Sequence, residues 1–128
     1  MNTAKLNNAS TLVSRSMIAI IFIVAGAGKI TGYAGTQGYM ESLGVPGLLL
    51  PLVIAVEILG GIAIILGYQT KIAAFLLAGF TLLSAIIFHS DFSQQMEMIL
   101  FMKNIAITGA FLLLFIHGPG QWALNSNN

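Results

Sequence analysis

Six polar side chains lie inside or at the ends of long apolar runs: Arg15, Lys29, Glu57, His89, Lys103 and Asn104. An ionised side chain in hydrocarbon is costly, so such residues turn toward a protein interior or a water-filled cavity, pair with one another, and mark ligand or proton sites. Glu57 is the most demanding, because it falls at the centre of its run. A carboxylate alone there would take up a proton and a lone lysine would lose one, whereas pairing lets both remain charged. Lys103 lies roughly 7 Å above the middle of its own run, within reach of a lysine stem, and is the expected partner of Glu57. Lys29, about 12 Å out, is the second choice and would need tilt or water to help. Such a pair either specifies the packing of the helices or serves a ligand or proton site.

Other chemistries are excluded by residue type and spacing. The chain has no cysteine, which removes disulfides, thiolate nucleophiles and cysteine-ligated zinc or iron–sulfur centres. Its two histidines, His89 and His117, end different apolar runs at opposite membrane faces, so they cannot ligate one haem iron within a protomer. His89 with Asp91 supplies two ligands, too few to define a metal site, and Met96, Met98 and Met102 read as packing or lipid-facing surface rather than copper ligands. No metal centre or intrinsic cofactor is therefore expected. Gly26-x-Gly28 lacks the third glycine and the strand context of a dinucleotide fold, and no hydrolase, P-loop or zinc-protease motif occurs. The five basic residues are scattered singly, which argues against nucleic acid as a partner.

The elements that must hold these side chains are transmembrane helices. Of 128 residues, 57% are hydrophobic and only 7% charged, with a net charge of +1. The mean hydropathy is +0.92. A soluble domain spends about a quarter of its residues on charge, so this chain has too little polar surface to face water and is expected to sit in a lipid bilayer. Four runs, at 12–30, 48–66, 72–88 and 98–116, are each long enough at about 1.5 Å per residue to cross roughly 30 Å of hydrocarbon. The expected fold is all-α: one domain over 1–128, an integral membrane four-helix bundle. The first run, flanked by Lys5 and Arg15, is read as a retained helix rather than a cleaved signal peptide, since Lys29 follows Ala25-Gly26-Ala27 and three further spans follow.

Gly67-Tyr68-Gln69-Thr70 makes a short turn between spans two and three, with Gly67 placed to stop a helix. The longer segment from Thr31 to Gly47 predicts a short interfacial helix with Tyr33 and Tyr39 at headgroup level. Pro46 and Pro51 fall where span two begins, and Ser93 is placed to cap span four. Trp122 suits an interface anchor. Lys5, Arg15 and Lys71 fall on one side, which puts both termini and the second loop in the cytoplasm by the positive-inside rule. Arg15, Phe22, Gly26 and Lys29 share one face of span one. Gly60 and Gly61 lie one turn from Glu57, and Ala106 and Ala110 share the face of Lys103. Small residues let backbones approach, so these faces are expected to turn inward, whereas Arg15 at its span's edge is read as a headgroup-level anchor.

Set in order along the chain, Arg15, Gly28-Lys29, Glu57-x-x-Gly60-Gly61 through Gly67, Lys103-Asn104 and Gly118-Pro119-Gly120 resemble the DoxX family of small bacterial membrane proteins. The stretches 28–37, Gly44-Val45-Pro46-Gly47 and Phe101-Met102-Lys103-Asn104 are similar to its YqjF-like branch. The resemblance covers nearly the whole chain. It implies a bacterial inner-membrane four-helix protein, linked through some relatives to quinone reduction or membrane oxidoreductase complexes. Two functions fit. In one, the chain is a quinone-interacting subunit in which Lys29, Lys103 or His89 hydrogen-bonds a quinone carbonyl and Glu57 relays a proton, with Asn104 and Arg15 as further binding residues and a redox partner supplying electrons. In the other it is a non-enzymatic membrane protein, a small-solute permease or an assembly factor, whose buried charges set packing or line a path; a homo-oligomer is compatible with both.

Overall fold

The computed structural model describes residues 2–125. It is all-helical among them: α1 (Thr3–Thr31), α2 (Tyr33–Ser42), a 3-10 turn (Gly47–Leu49), α3 (Leu50–Leu66), α4 (Thr70–Phe88) and α5 (Gln95–His117). Four of these elements, α1, the 3-10 turn with α3, α4 and α5, are long and apolar enough to cross a membrane. α1 begins well before the apolar run that announces it. Asn2 caps it by accepting the Lys5 N–H at 2.8 Å, and no glycine or proline interrupts the chain before Gly26.

Helix ends follow local chemistry. Gly67 takes the left-handed conformation (φ 70°) that stops α3, its N–H bonding Ile64 O at 3.3 Å while Tyr68 N–H bonds Ala63 O at 2.9 Å. Pro51 falls in the first turn of α3, where its missing N–H is not needed. Ser93, expected to cap the last span, does not: its hydroxyl donates to Asp91 Oδ1 at 2.5 Å, and α5 starts behind Gln94 without a side-chain cap. The carboxylate two residues back is the stronger acceptor and draws the hydroxyl into the loop.

Packing runs in sequence, α1 against α3, α3 against α4 and α4 against α5. The α1–α3 register is fixed by two glycines at points of backbone approach. A Cβ on Gly26 would lie 3.3 Å from Glu57 Cβ and closer still to Ile58, and one on Gly61 would lie 2.7 Å from Ile23 Cγ1 and 3.2 Å from the Ala19 carbonyl. Gly60 faces α4 instead, against Leu77. α1 and α5 meet through large side chains, Phe22 and Phe111, whose rings are 5.4 Å apart at the centre of the core. α2 closes one end of the bundle: Met40 is buried, Tyr39 stacks on Phe88 at 5.6 Å, and Gln37 donates to Gly47 O.

The opposite end is held by Arg15, which is 1% exposed. It is therefore no headgroup anchor. Its guanidinium donates to Pro119 O at 2.5 Å, Trp122 O at 2.9 Å and Ile65 O at 3.0 Å. The carbonyls left over at the end of α3 and in the C-terminal tail, which hydrocarbon would not satisfy, draw the side chain inward. The tail also pairs with the α3–α4 turn, Leu124 N–H to Leu66 O and Asn125 N–H to Gly67 O.

The α1–α3 register can be tested directly. Gly61→Ala should destabilise the bundle by about 1–3 kcal/mol, because the neighbour includes α1 backbone that cannot rotate away. Gly79→Ala, where an added Cβ meets nothing within 4 Å, should leave stability unchanged or slightly raised. Unfolding of both variants in detergent micelles measures this, and equal stabilities would show that the α1–α3 approach does not depend on Gly61.

Candidate functional site

The Gly26–Glu57 contact puts Lys29, one turn further along the same face of α1, beside the carboxylate. Lys29 Nζ lies 2.9 Å from Glu57 Oε1, with side-chain exposures of 29% and 6%. The expected preference for Lys103 is thereby corrected, and the second choice is the partner. The depths inferred from the midpoints of apolar runs misled, since α1 is offset along its axis and its glycine contact, not its midpoint, sets the level. Among the described residues Oε1 has no hydrogen-bond donor in good alignment, so the contact is an ion pair that leaves acceptor capacity on the carboxylate.

Around this pair the structure brings together five of the six residues singled out by type. Lys29, Glu57, His89, Lys103 and Asn104 all line one cavity of about 160 Å³, with Phe22, Thr81 and Ser84. Arg15 lies at the other end of the bundle and takes no part in it. Lys103 lines the mouth from an outward-facing position on α5, against the expectation that its face turns inward with Ala106 and Ala110. The buried face of α5 carries Asn104, Thr108, Phe111 and Leu114 instead. Asn104 and Thr108 bury their polar groups in local bonds, Thr108 Oγ1 to Asn104 O at 2.8 Å and Asn104 Nδ2 to Thr81 O at 3.5 Å. These bonds let a polar face fill the interior, while Ala106 is exposed and Ala110 only half-buried. Met96, Met98 and Met102 are also outward-facing.

A second cleft of about 310 Å³ adjoins the first and shares Lys29, Glu57, Phe80, Ser84 and His89 with it. Its walls are apolar and aromatic: Tyr39 and Met40 from α2, Leu49 and Val53 at the start of span two, Leu83 and Phe88 from α4. The ion pair thus stands between a small polar chamber and a larger apolar cleft. Burial, reinforced by the negative charge of Glu97, raises the Tyr39 phenol above its ordinary range, so at neutral pH it stays protonated.

Glu97 was not among the residues singled out by type. His89 Nδ1 and Glu97 Oε2 are 3.0 Å apart across the loop that joins α4 to α5. The boundary at Met98 hid it; α5 begins a turn earlier, and a carboxylate in the first turn of a helix behind a histidine is the signal that was available. Thr81, whose hydroxyl is buried without a partner, was missed because a threonine in an apolar run looks like packing. Among the described residues no three histidine, aspartate or glutamate side chains converge as a metal site would require.

The model of the DoxX family matches residues 10–90. The chain belongs to the DoxX family. It is 54% identical to "Inner membrane protein YqjF" of Escherichia coli over 94% of this chain and 93% of that one. It is 41% identical to "Inner membrane protein YphA" of the same organism, over 89% and 86%. It is also 38% identical to "Putative oxidoreductase CatD" of Bacillus subtilis, over 60% of this chain and 57% of that one. No solved structure matches. This DoxX-family chain is thus an inner-membrane protein embedded in lipid, with four apolar spans.

The Lys29–Glu57 pair is testable by a double-mutant cycle. Glu57→Gln strands a partly buried ammonium and should destabilise by about 1–3 kcal/mol, less than a fully buried pair because Lys29 is in part exposed. Adding Lys29→Met should restore more than half of that loss. Unfolding in detergent measures all four proteins, and additive single effects would refute the pairing.

Proposed function

We propose that this DoxX-family protein binds the headgroup of a membrane quinone, oxidised or reduced, as a subunit of an inner-membrane oxidoreductase system. The observation that carries this is an ion pair lining an aromatic-walled cleft. A quinone head is a flat apolar ring with two oxygens, and such a slot closed by a few polar groups suits that shape. The residues fit the group on their own chemistry. Lys29 offers an ammonium donor and His89 a ring nitrogen, Tyr39 and Phe88 give the cleft an aromatic wall, and Glu57 can accept a proton next to Lys29 and return it. Thr81 and Asn104 make the adjoining chamber polar, so water there could carry that proton onward.

A bound quinone would supply the electron chemistry, and the chain's own residues bind, orient and move the proton. Electrons need a partner protein, since none of the side chains at the site is a redox group. The name of the Bacillus relative supports an oxidoreductase setting. In the bilayer we place both termini in the cytoplasm, which puts the chamber, His89 and the α4–α5 loop near the periplasmic face.

Two measurements test these statements. Protein extracted in native lipid should carry quinone detectable by mass spectrometry, and Glu57→Gln should lower that occupancy about tenfold while the protein remains folded; undiminished quinone in the folded variant would remove Glu57 from the site, and none in the unaltered protein would overturn the reading. A periplasm-dependent reporter should be silent when fused to the C-terminus and active within the loop at 91–95. The reverse pattern would invert the orientation.

A further inference from the structure

We infer that Glu97 is a positioning residue of this site: it holds the His89 ring by Nδ1, leaving Nε2 as a hydrogen-bond acceptor in the cavity, so that the hydroxylated, hydroquinone form of the headgroup is the preferred ligand. This rests on the quinone reading and adds to it a residue and a preference between two ligand forms.

The geometry begins with the loop. α4 ends at Phe88, His89 follows, and the chain returns through a tight turn in which Asp91 accepts from Ser93, bringing Glu97 of the first turn of α5 back over the imidazole. Nδ1 and Oε2 are 3.0 Å apart, and the two side chains are only 19% and 22% exposed. The N-terminus of α5 is a favourable place for the carboxylate's negative charge. A carboxylate oxygen can only accept, so in the neutral imidazole the proton sits on Nδ1 and the lone pair on Nε2. His89 lines both the polar chamber and the apolar cleft, so that second nitrogen is the one the site can use. On the α2 side Tyr39 stacks on the adjacent Phe88.

Two acceptors then flank the space: His89 Nε2 and the Glu57 carboxylate, which lines both the chamber and the cleft. A hydroquinone presents two O–H donors, which two acceptors satisfy. A quinone presents two carbonyl oxygens, and against Nε2 these set lone pair against lone pair. The Lys29 ammonium can serve either form, so the discrimination comes from His89, and through it from Glu97.

The test uses full-length His117→Gln protein in nanodiscs, in which His89 is the sole histidine. Imidazole 15N NMR with the ring neutral should show the Nδ1–H tautomer. Glu97→Leu should shift it toward Nε2–H, whereas Glu97→Gln, which keeps an acceptor oxygen, should retain it. In the same nanodiscs decylubiquinol should bind more tightly than decylubiquinone, and Glu97→Leu should weaken decylubiquinol about tenfold while changing decylubiquinone less than about threefold. An Nε2–H tautomer in the parent protein would overturn the dyad whatever binds. Equal loss of both ligands in Glu97→Leu, or no loss of either, would overturn the discrimination and leave the quinone reading standing. If the parent binds neither form, the quinone reading fails and the ligand preference fails with it, while the tautomer shift still decides whether Glu97 holds His89.

Discussion

Glu57 is a carboxylate buried midway along a membrane-spanning helix, and neither lipid nor the neighbouring apolar side chains can answer its charge. A cation has to be brought within a few ångströms, on a helix close enough for a lysine stem to reach. Gly26 makes that possible, because with no side chain there the α1 backbone settles against Glu57 Cβ and Ile58. Lys29 then falls one turn beyond, at 2.9 Å. Gly61 repeats the approach further down, against Ala19 and Ile23. The α1–α3 register, the level of the cavity and the identity of its cation therefore descend from one requirement.

Arg15 meets the same requirement in the opposite way. Its guanidinium is buried more deeply than Lys29, and it finds three backbone carbonyls instead of a carboxylate. Hydrogen bonds to a charged group contribute about 1.5–3 kcal/mol each, and they also relieve helix-end carbonyls that would otherwise be stranded. A planar fork of donors suits carbonyls arriving from separate segments, as an ammonium would not. The two terminal nitrogens of Arg15 are directed at backbone, while the buried Nε–H has no hydrogen-bond partner among the described residues. At the Lys29 end the charge is answered by a second side chain instead, and that pair borders both the polar chamber and the apolar cleft.

The spans, the interfacial helix and the Gly67 stop were legible in the sequence, because apolar run length and a left-handed glycine act locally. So was the face Arg15–Phe22–Gly26–Lys29, since helical periodicity needs no tertiary information. Lys29 rather than Lys103 as the partner of Glu57 was not legible, since depth had to be taken from run midpoints and α1 extends polar residues well past its apolar run. The burial of Arg15 was hidden because the carbonyls it serves are contributed by residues 50 to 107 positions away. Glu97 lay just outside a hydropathy boundary, although the helix itself does not stop where hydrophobicity does.

Lys103 shows how the cavity and the lipid constrain each other. It faces outward from α5, about 12 Å along the helix from its first residue, and it is Lys29 that pairs with Glu57. An ammonium there must snorkel along its own helix or turn its head sideways into something polar. The polar chamber supplies the second route, since Lys103 lines it beside Asn104 and opposite Lys29. α1 and α5 touch across Phe22 and Phe111, and Phe22 also lines the chamber. The chamber is what gives Lys103 a polar place to turn. Filling it with apolar side chains would strand that charge in hydrocarbon, so the chamber and the lysine at its mouth each depend on the other.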